Sequence, residues 1–252
     1  LRIRSLLKIM SVKFNIPSPD KELIEKASKV KKAYLNNFQT DNYQRIKAIN
    51  YMAESLSNNA NKILEANHND FQIAEKKGIS KALLSRLRLS KDKLILAIDG
   101  VRQVGNLKDP TGELQINREL SKGLTLKRKT VPIGVIGVIF ESRPDAVMQI
   151  SSLAIRSGNG VILKGGSEAY YTNIALVEAL KEGLKNSEVN EDSICLLTNR
   201  KDSMAMLNLD KDINLIIPRG SNELVKFIKE NTKIPVLGHA DGICHIYIDS
   251  EA

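Results

Sequence analysis

From Pro132 onward the chain alternates short apolar runs with longer amphipathic ones, and this alternation constrains the fold more than any other feature. IGVIGVIF, VILK, ICLLT, INLIIP and IPVLG are near-continuous apolar segments of strand length, without the in-and-out alternation of a half-exposed strand. Between them lie DAVMQISSLAIRSG, EAYYTNIALVEALKEGL, KDSMAMLNL and NELVKFIKENT, each apolar along one face at helical spacing. Strands buried on both faces and joined through helices make a parallel sheet covered on both sides, so a doubly wound α/β architecture is predicted. In such sheets ligands sit beyond the carboxyl ends of the strands, and the turns after each strand are where function is to be sought.

The half before Pro132 follows other periods. From Asp20 to about Leu107 the pattern is helical: Leu23, Ala27, Val30 and Tyr34 form one stripe, and Ile46, Ile49, Met52, Ala53 and Leu56 form a second, with Thr40 or Asp41 as its N-cap. These helices read as a packing layer in which no chemistry converges, and His68 stands alone in a polar stretch as a surface residue. ELQINRELSKGLTLKRKTV then alternates around a turn at Ser121, Lys122 and Gly123, which predicts a β-hairpin. Its open edges suit pairing with another subunit. The expected organisation is an upstream extension outside the folded part over 1–9, with Met10 as the native start, and a helical part over 10–113. The hairpin over 114–131 and the sheet over 132–240 follow, and 241–252 opens a further domain.

Composition narrows the class. Of 252 residues, 42% are hydrophobic and 27% charged, ordinary for a globular protein, and no apolar run reaches the ~20 residues that span a bilayer. The formal charge of +9 is spread over solvated faces, apart from Lys127, Arg128 and Lys129. With aromatics at 4% and no Trp, few platforms exist for stacking bases, so neither a nucleic acid nor a membrane is the expected partner. Cys195 and Cys244 both fall in apolar, strand-like runs without metal-ligand spacing, which points to no metal and to a reducing, cytoplasmic compartment.

Three turns carry the chemistry. In ESRPD, Arg143 follows a buried strand and precedes Pro144 at a helix start, where free N–H groups and the helix dipole favour an anion; pairing with Glu141 or Asp145 is the alternative. In KGGSEA, Lys164 ends a strand, Gly165 and Gly166 permit close backbone approach, and Ser167 is the predicted cap of the helix that carries Glu168. In PRGSNE, Gly220 allows a tight turn after Arg219, and Ser221 opens the next helix. Three anion-friendly turns at one sheet edge point to a nucleotide, although no GxGxxG or P-loop occurs.

VPIGVIGVIFESRPDAV, NGVILKGGSEA, LIIPRGSNELV and IPVLGHADGICHIYID resemble the γ-glutamyl phosphate reductase family of the aldehyde dehydrogenase superfamily, from about Pro19 to the end. The resemblance implies an aldehyde dehydrogenase-like fold and NADPH-dependent reduction of γ-glutamyl phosphate to glutamate 5-semialdehyde in proline biosynthesis. It also implies a homo-oligomer and an association with glutamate 5-kinase. By that resemblance Lys164 and Glu168 hold the adenosine ribose, Gly165, Gly166 and Ser167 belong to the same cofactor-binding turn, and Gly220 and Ser221 contact the pyrophosphate. Arg143 replaces the oxyanion asparagine of hydrolytic relatives and, with Ser142, faces the acyl phosphate. Val236 replaces their general-base glutamate, and valine cannot activate water, which fits reduction without thioester hydrolysis. The family's nucleophilic cysteine follows the CHIYID strand by a helix and a loop and is expected beyond Ala252, so this chain alone is expected to be inactive. Cys244 is expected to be buried on one strand face with Ile246 and Ile248. The alternatives are a reductase of another acyl phosphate and a non-catalytic nucleotide-binding scaffold.

Overall fold

The computed structural model describes residues 16–141, 143–238 and 246–249. Five helices open the chain: α1 (Lys21–Asn37), α2 (Asn42–Asn58), α3 (Ala60–Lys76), α4 (Lys81–Leu87) and α5 (Lys91–Gly105). All but α3 start at a side-chain acceptor that satisfies otherwise unpaired N–H groups. Asp20 accepts from Leu23 N at 2.9 Å, Asp41 forms a capping box with Gln44, and Ser80 and Ser90 cap α4 and α5. Between the two candidates for the α2 cap, Asp41 is the one that serves.

A hairpin of β1 (Leu114–Ser121) and β2 (Leu124–Lys129) follows, turning at Gly123 with φ 82°. Nearly every side chain on it is exposed, including Leu114, Leu120, Leu124 and Leu126. A lone two-stranded ribbon has little burial of its own to hold it.

The remaining elements are β3 (Val135–Phe140), α6 (Asp145–Arg156), β4 (Gly160–Lys164), α7 (Tyr170–Leu184), β5 (Ile194–Leu196), α8 (Arg200–Ala205), β6 (Leu215–Arg219) and α9 (Asn222–Glu230). The four strands form one parallel sheet in the order β5-β4-β3-β6. Ile136 pairs with Val161 on one side and Leu215 on the other, so the strands end level at the carboxyl edge.

Successive strand residues point to opposite faces, and each face has its own core. Val161 and Leu163 pack with Met52, Leu56, Met148 and Leu176, which brings α2, α6 and α7 onto one face. Ile162 and Ile216 pack with Leu23, Val30, Met206 and Ile228, which brings α1, the α8 segment and α9 onto the other. The N-terminal helices are therefore not one layer: α1 crosses to the opposite side from α2, α3 and α5.

Two expectations at the end of the sheet are corrected. IPVLG makes a single parallel bridge, Ile216 to Val236, flanked by Ile216 N to Pro235 O and Leu237 N to Ile216 O, both 2.9 Å. Pro235 has no N–H to extend the ladder. Over the four described residues 246–249 there is no strand, and Ile246 and Ile248 are 86% and 75% exposed, because nothing in the described chain packs over them. Cys244 lies outside the described residues.

Candidate functional site

A cleft of about 1070 Å³ opens at the carboxyl edge between β3, β6 and α6. Its floor is apolar, with Val138, Phe140, Ile150, Leu153 and Ile217, and its mouth is polar, with Glu141, Arg143, Arg219 and Ser221. Sheet geometry explains the apolar floor: Ile136, Val138 and Phe140 alternate toward the α6 face, and Ile217 continues that row on β6.

The structure brings Arg143, Gly220 and Ser221 onto this cleft. Arg143 is exposed beside the start of α6. It lines the cleft, and the alternative of an ion pair with Glu141 or Asp145 is not formed among the described residues. Ser142 lies outside the described residues. Ser221 caps α9, its hydroxyl accepting from Leu224 N at 3.3 Å. The Glu223 carboxyl is held below its usual range by its own backbone N–H and the Ser221 hydroxyl. A Cβ on Gly220 would lie 2.8 Å from Leu224 Cδ2 and 3.4 Å from Glu141 Cδ, so a side chain there would have to displace the end of Leu224.

The β4 turn stands apart from the cleft. Lys164 is 8% exposed and donates from Nζ to the Gly165 carbonyl. A Cβ on Gly165 would meet Asn173 Nδ2 at 2.3 Å, and one on Gly166 would meet the Glu168 carboxylate at 2.1 Å. Packing against buried Asn173 and Phe140 therefore already favours glycine at 165, whereas at 166 the Glu168 side chain would have to move aside. Beside this turn the enclosed space is only about 10 Å³, room for at most one water. Ser167 also borders a separate hollow of about 330 Å³, together with Glu168, Asp70 and Tyr171.

Ser167 is not a helix cap, contrary to expectation. It lies in a 3-10 turn, Ser167–Ala169, and makes no capping bond. The cap of α7 comes from α3: Asp70 accepts from Tyr171 N at 3.2 Å, Thr172 N at 2.7 Å and Thr172 Oγ1 at 2.6 Å. A cap that arrives from 101 residues upstream has no local signature. Burial raises the Asp70 carboxyl above its usual range, against the lowering pull of those hydrogen bonds. Because Asp70 occupies the N–H groups at the start of α7, the anion-friendly character expected of this turn is largely satisfied internally.

Arg86 also lines the cleft, from α4, a helix whose periodicity predicts packing alone. A short helix with one arginine offers no pattern from which this is readable. His68 is exposed, 2.8 Å from Gln72, in keeping with a surface role. Cys195 on β5 is half-buried, and burial pushes its thiol up, away from the thiolate form a nucleophile needs. Val236 packs half-buried against the α9-side core. Among the described residues no helix is long and apolar enough to cross a membrane.

The parallel order, with helices on both faces, places the fold in the aldehyde dehydrogenase class: the chain matches a probable aldehyde dehydrogenase from Listeria monocytogenes EGD-e with a TM-score of 0.67 at 14% identity, over 87% of this chain and 46% of that one. Within that class the similarity is specific. The crystal structure of gamma-glutamyl phosphate reductase from Thermotoga maritima matches with a TM-score of 0.83 at 38% identity, over 86% of this chain and 53% of that one. The Saccharomyces cerevisiae enzyme of the same name gives 0.80 at 40%, over 87% and 56%. A gamma-glutamyl phosphate reductase of Prochlorococcus marinus subsp. pastoris is 71% identical over 238 residues, 94% of this chain and 55% of the relative. The chain thus spans about 55% of the length of the curated relatives it matches. No protein-family model matches it.

Proposed function

We propose that this chain is the cofactor-binding part of an NADPH-dependent γ-glutamyl phosphate reductase, which converts γ-glutamyl 5-phosphate to glutamate 5-semialdehyde with release of phosphate. The observation that carries this reading is Arg143, uncommitted to any ion pair among the described residues, on one cleft with Gly220 and Ser221, in a chain 71% identical to an enzyme of that name.

The residues present fit a nicotinamide dinucleotide in part. Gly220 and Ser221, at the start of α9, offer backbone N–H groups and a helix N-terminus to a pyrophosphate, shared with the Ser221 and Glu223 contacts already there. Lys164 and Glu168 are the assigned ribose contacts, and Lys164 would have to leave the Gly165 carbonyl to serve. The cofactor, when bound, supplies the hydride.

The chain's own residues do the rest. Arg143 holds the departing phosphate of the acyl phosphate and offsets charge developing at the reacting carbonyl oxygen, with Ser142 assigned beside it. By the resemblance Val236 stands where hydrolytic relatives carry their general-base glutamate, and a valine offers no carboxylate to activate water, so an acyl intermediate escapes base-assisted hydrolysis. Among the described residues the cysteine is Cys195, and burial favours its thiol form, so it is not assigned as the nucleophile. The hairpin's exposed leucines are assigned to contact with a second copy.

The test uses a polypeptide carrying this sequence at the full length of its relatives, assayed in reverse as the phosphate-dependent oxidation of glutamate 5-semialdehyde with NADP+. Arg143→Gln is expected to lower kcat/KM by about 10²–10³-fold, with the KM for phosphate raised and Arg143→Lys recovering only part of the loss. An unchanged kcat/KM in Arg143→Gln would sink the assignment. Cofactor choice is checked on the chain itself by fluorescence titration, in which NADPH is expected to bind more tightly than NADH; binding of neither would remove the nucleotide reading.

A further inference from the structure

The 1070 Å³ cleft does not end at Arg143. It adjoins a second hollow of about 440 Å³, formed where α4 and the start of α5 approach the start of α6. Four residues line both spaces: Arg86 from α4, and Arg143, Asp145 and Gln149 from the β3–α6 segment. Asp145 and Gln149 lie four residues apart on α6 and share one helix face.

The state of the charged groups separates those holding the fold from those left for a ligand. Arg88, which also lines the second hollow, lies over the Phe71 ring at 5.9 Å, and Lys93 donates from Nζ to the Arg88 carbonyl at 3.2 Å. Arg86, Arg143 and Asp145 enter no ion pair among the described residues. Arg86 is exposed, so the surrounding core does not need its charge.

The carboxylate decides what such a rim can recognise. A site for phosphate alone gains from Arg86 and Arg143 and loses from Asp145, whose charge repels an anion. Asp145 favours the α6 dipole, yet any acid on the first turn does that without lining both spaces. A ligand with an anion and a cation close together uses all the groups. The substrate of the proposed reaction is such a ligand, since its α-carbon bears a carboxylate and an ammonium at the end remote from the acyl phosphate.

We infer that Arg86 and Asp145 form the subsite for the α-amino-acid head of the substrate: Arg86 binds the α-carboxylate, Asp145 binds the α-ammonium, and Gln149 sits beside them as a neutral hydrogen-bonding group. Arg143 is then reserved for the acyl-phosphate end. This inference rests on the reductase reading above and deepens it, because it makes the N-terminal helices contributors to substrate choice.

Three aldehydes separate the two charges in the reverse reaction, using the polypeptide at its relatives' full length. Glutamate 5-semialdehyde carries both groups, 5-oxopentanoate lacks the amine, and pentanal lacks both. In Arg86→Gln, the kcat/KM ratio of 5-oxopentanoate to pentanal is expected to fall about ten- to a hundredfold, carried by KM. In Asp145→Asn, the ratio of glutamate 5-semialdehyde to 5-oxopentanoate is expected to fall by a similar factor, while the 5-oxopentanoate to pentanal ratio holds or rises, because the charge that repels a lone carboxylate is gone. A merely structural role would depress all three aldehydes alike, and unchanged ratios in both variants would overturn the subsite while leaving the reductase reading in place. If the unsubstituted polypeptide shows no phosphate-dependent oxidation of glutamate 5-semialdehyde, both readings fall together.

Discussion

Gly183→Ala lowers the unfolding free energy by about 2–4 kcal/mol, although alanine is the better helix former by about 1 kcal/mol. The reason is the crossing of α2 and α7. A Cβ on Gly183 would lie 2.5 Å from Tyr51 O, 2.7 Å from Met52 Cα and 2.8 Å from Met52 N, all main-chain atoms that cannot rotate aside. Relief requires the two helices to separate, which loosens Met52, Leu56, Leu176 and Leu180 in the core of the α6 face. Gly100 is the control: it lies within α5, a Cβ there meets nothing within 4 Å, and Gly100→Ala is expected to be neutral or stabilising by up to about 1 kcal/mol. Urea titrations of the two variants should shift in opposite directions or differ by several kcal/mol. If Gly183→Ala unfolds no earlier than Gly100→Ala, the close crossing is not as described.

These two glycines also mark how far the sequence can be read. Both sit in amphipathic helical patterns with nothing local to distinguish them, because what separates them is the neighbour across the interface. Periodicity is a local property, and it predicts β3, β4 and β6, the hairpin and the α2 cap at Asp41 from residues near in sequence. It does not show that α1 and α2 lie on opposite faces of the sheet, since both carry the same kind of stripe. The same limit governs the site. Arg143, Gly220 and Ser221 are legible as turn residues at strand ends, and the parallel sheet places them together. Arg86 is brought in from α4, and Asp70 caps α7 from 101 residues away, by tertiary packing alone. Where a local rule and a distant partner compete, as at Ser167, the buried carboxylate with three donors wins over an exposed hydroxyl.

Asp109→Ala is expected to cost about 2–4 kcal/mol at pH 7, from a residue that no motif singles out. Asp109 joins three parts of the fold, for its carboxylate lies 2.7 Å from Arg45 Nη2 on α2 and 3.9 Å from Arg156 Nη1 on α6, and it accepts from Thr111 N and Oγ1 just before the hairpin. Both arginine side chains are under 10% exposed, and the Nε of each already lacks a partner. Removing the carboxylate leaves two buried guanidiniums without a counter-charge, and the carboxylate's own 24% exposure moderates the loss. Burial alone would raise the Asp109 carboxyl, but the Thr111 hydrogen bonds and the charges of Arg45 and Arg156 outweigh it and hold the group below the usual carboxylate range. A carboxyl depressed in the folded state stabilises above its unfolded value of about 3.9, and that contribution is lost as pH falls through the lower folded value. The stability gap between the unsubstituted chain and Asp109→Asn should therefore be constant from pH 7 to about 5 and close below about pH 4. Denaturant titrations across that range measure it, and a gap that widens on acidification would mean that Asp109 is not the counter-ion of Arg45 and Arg156.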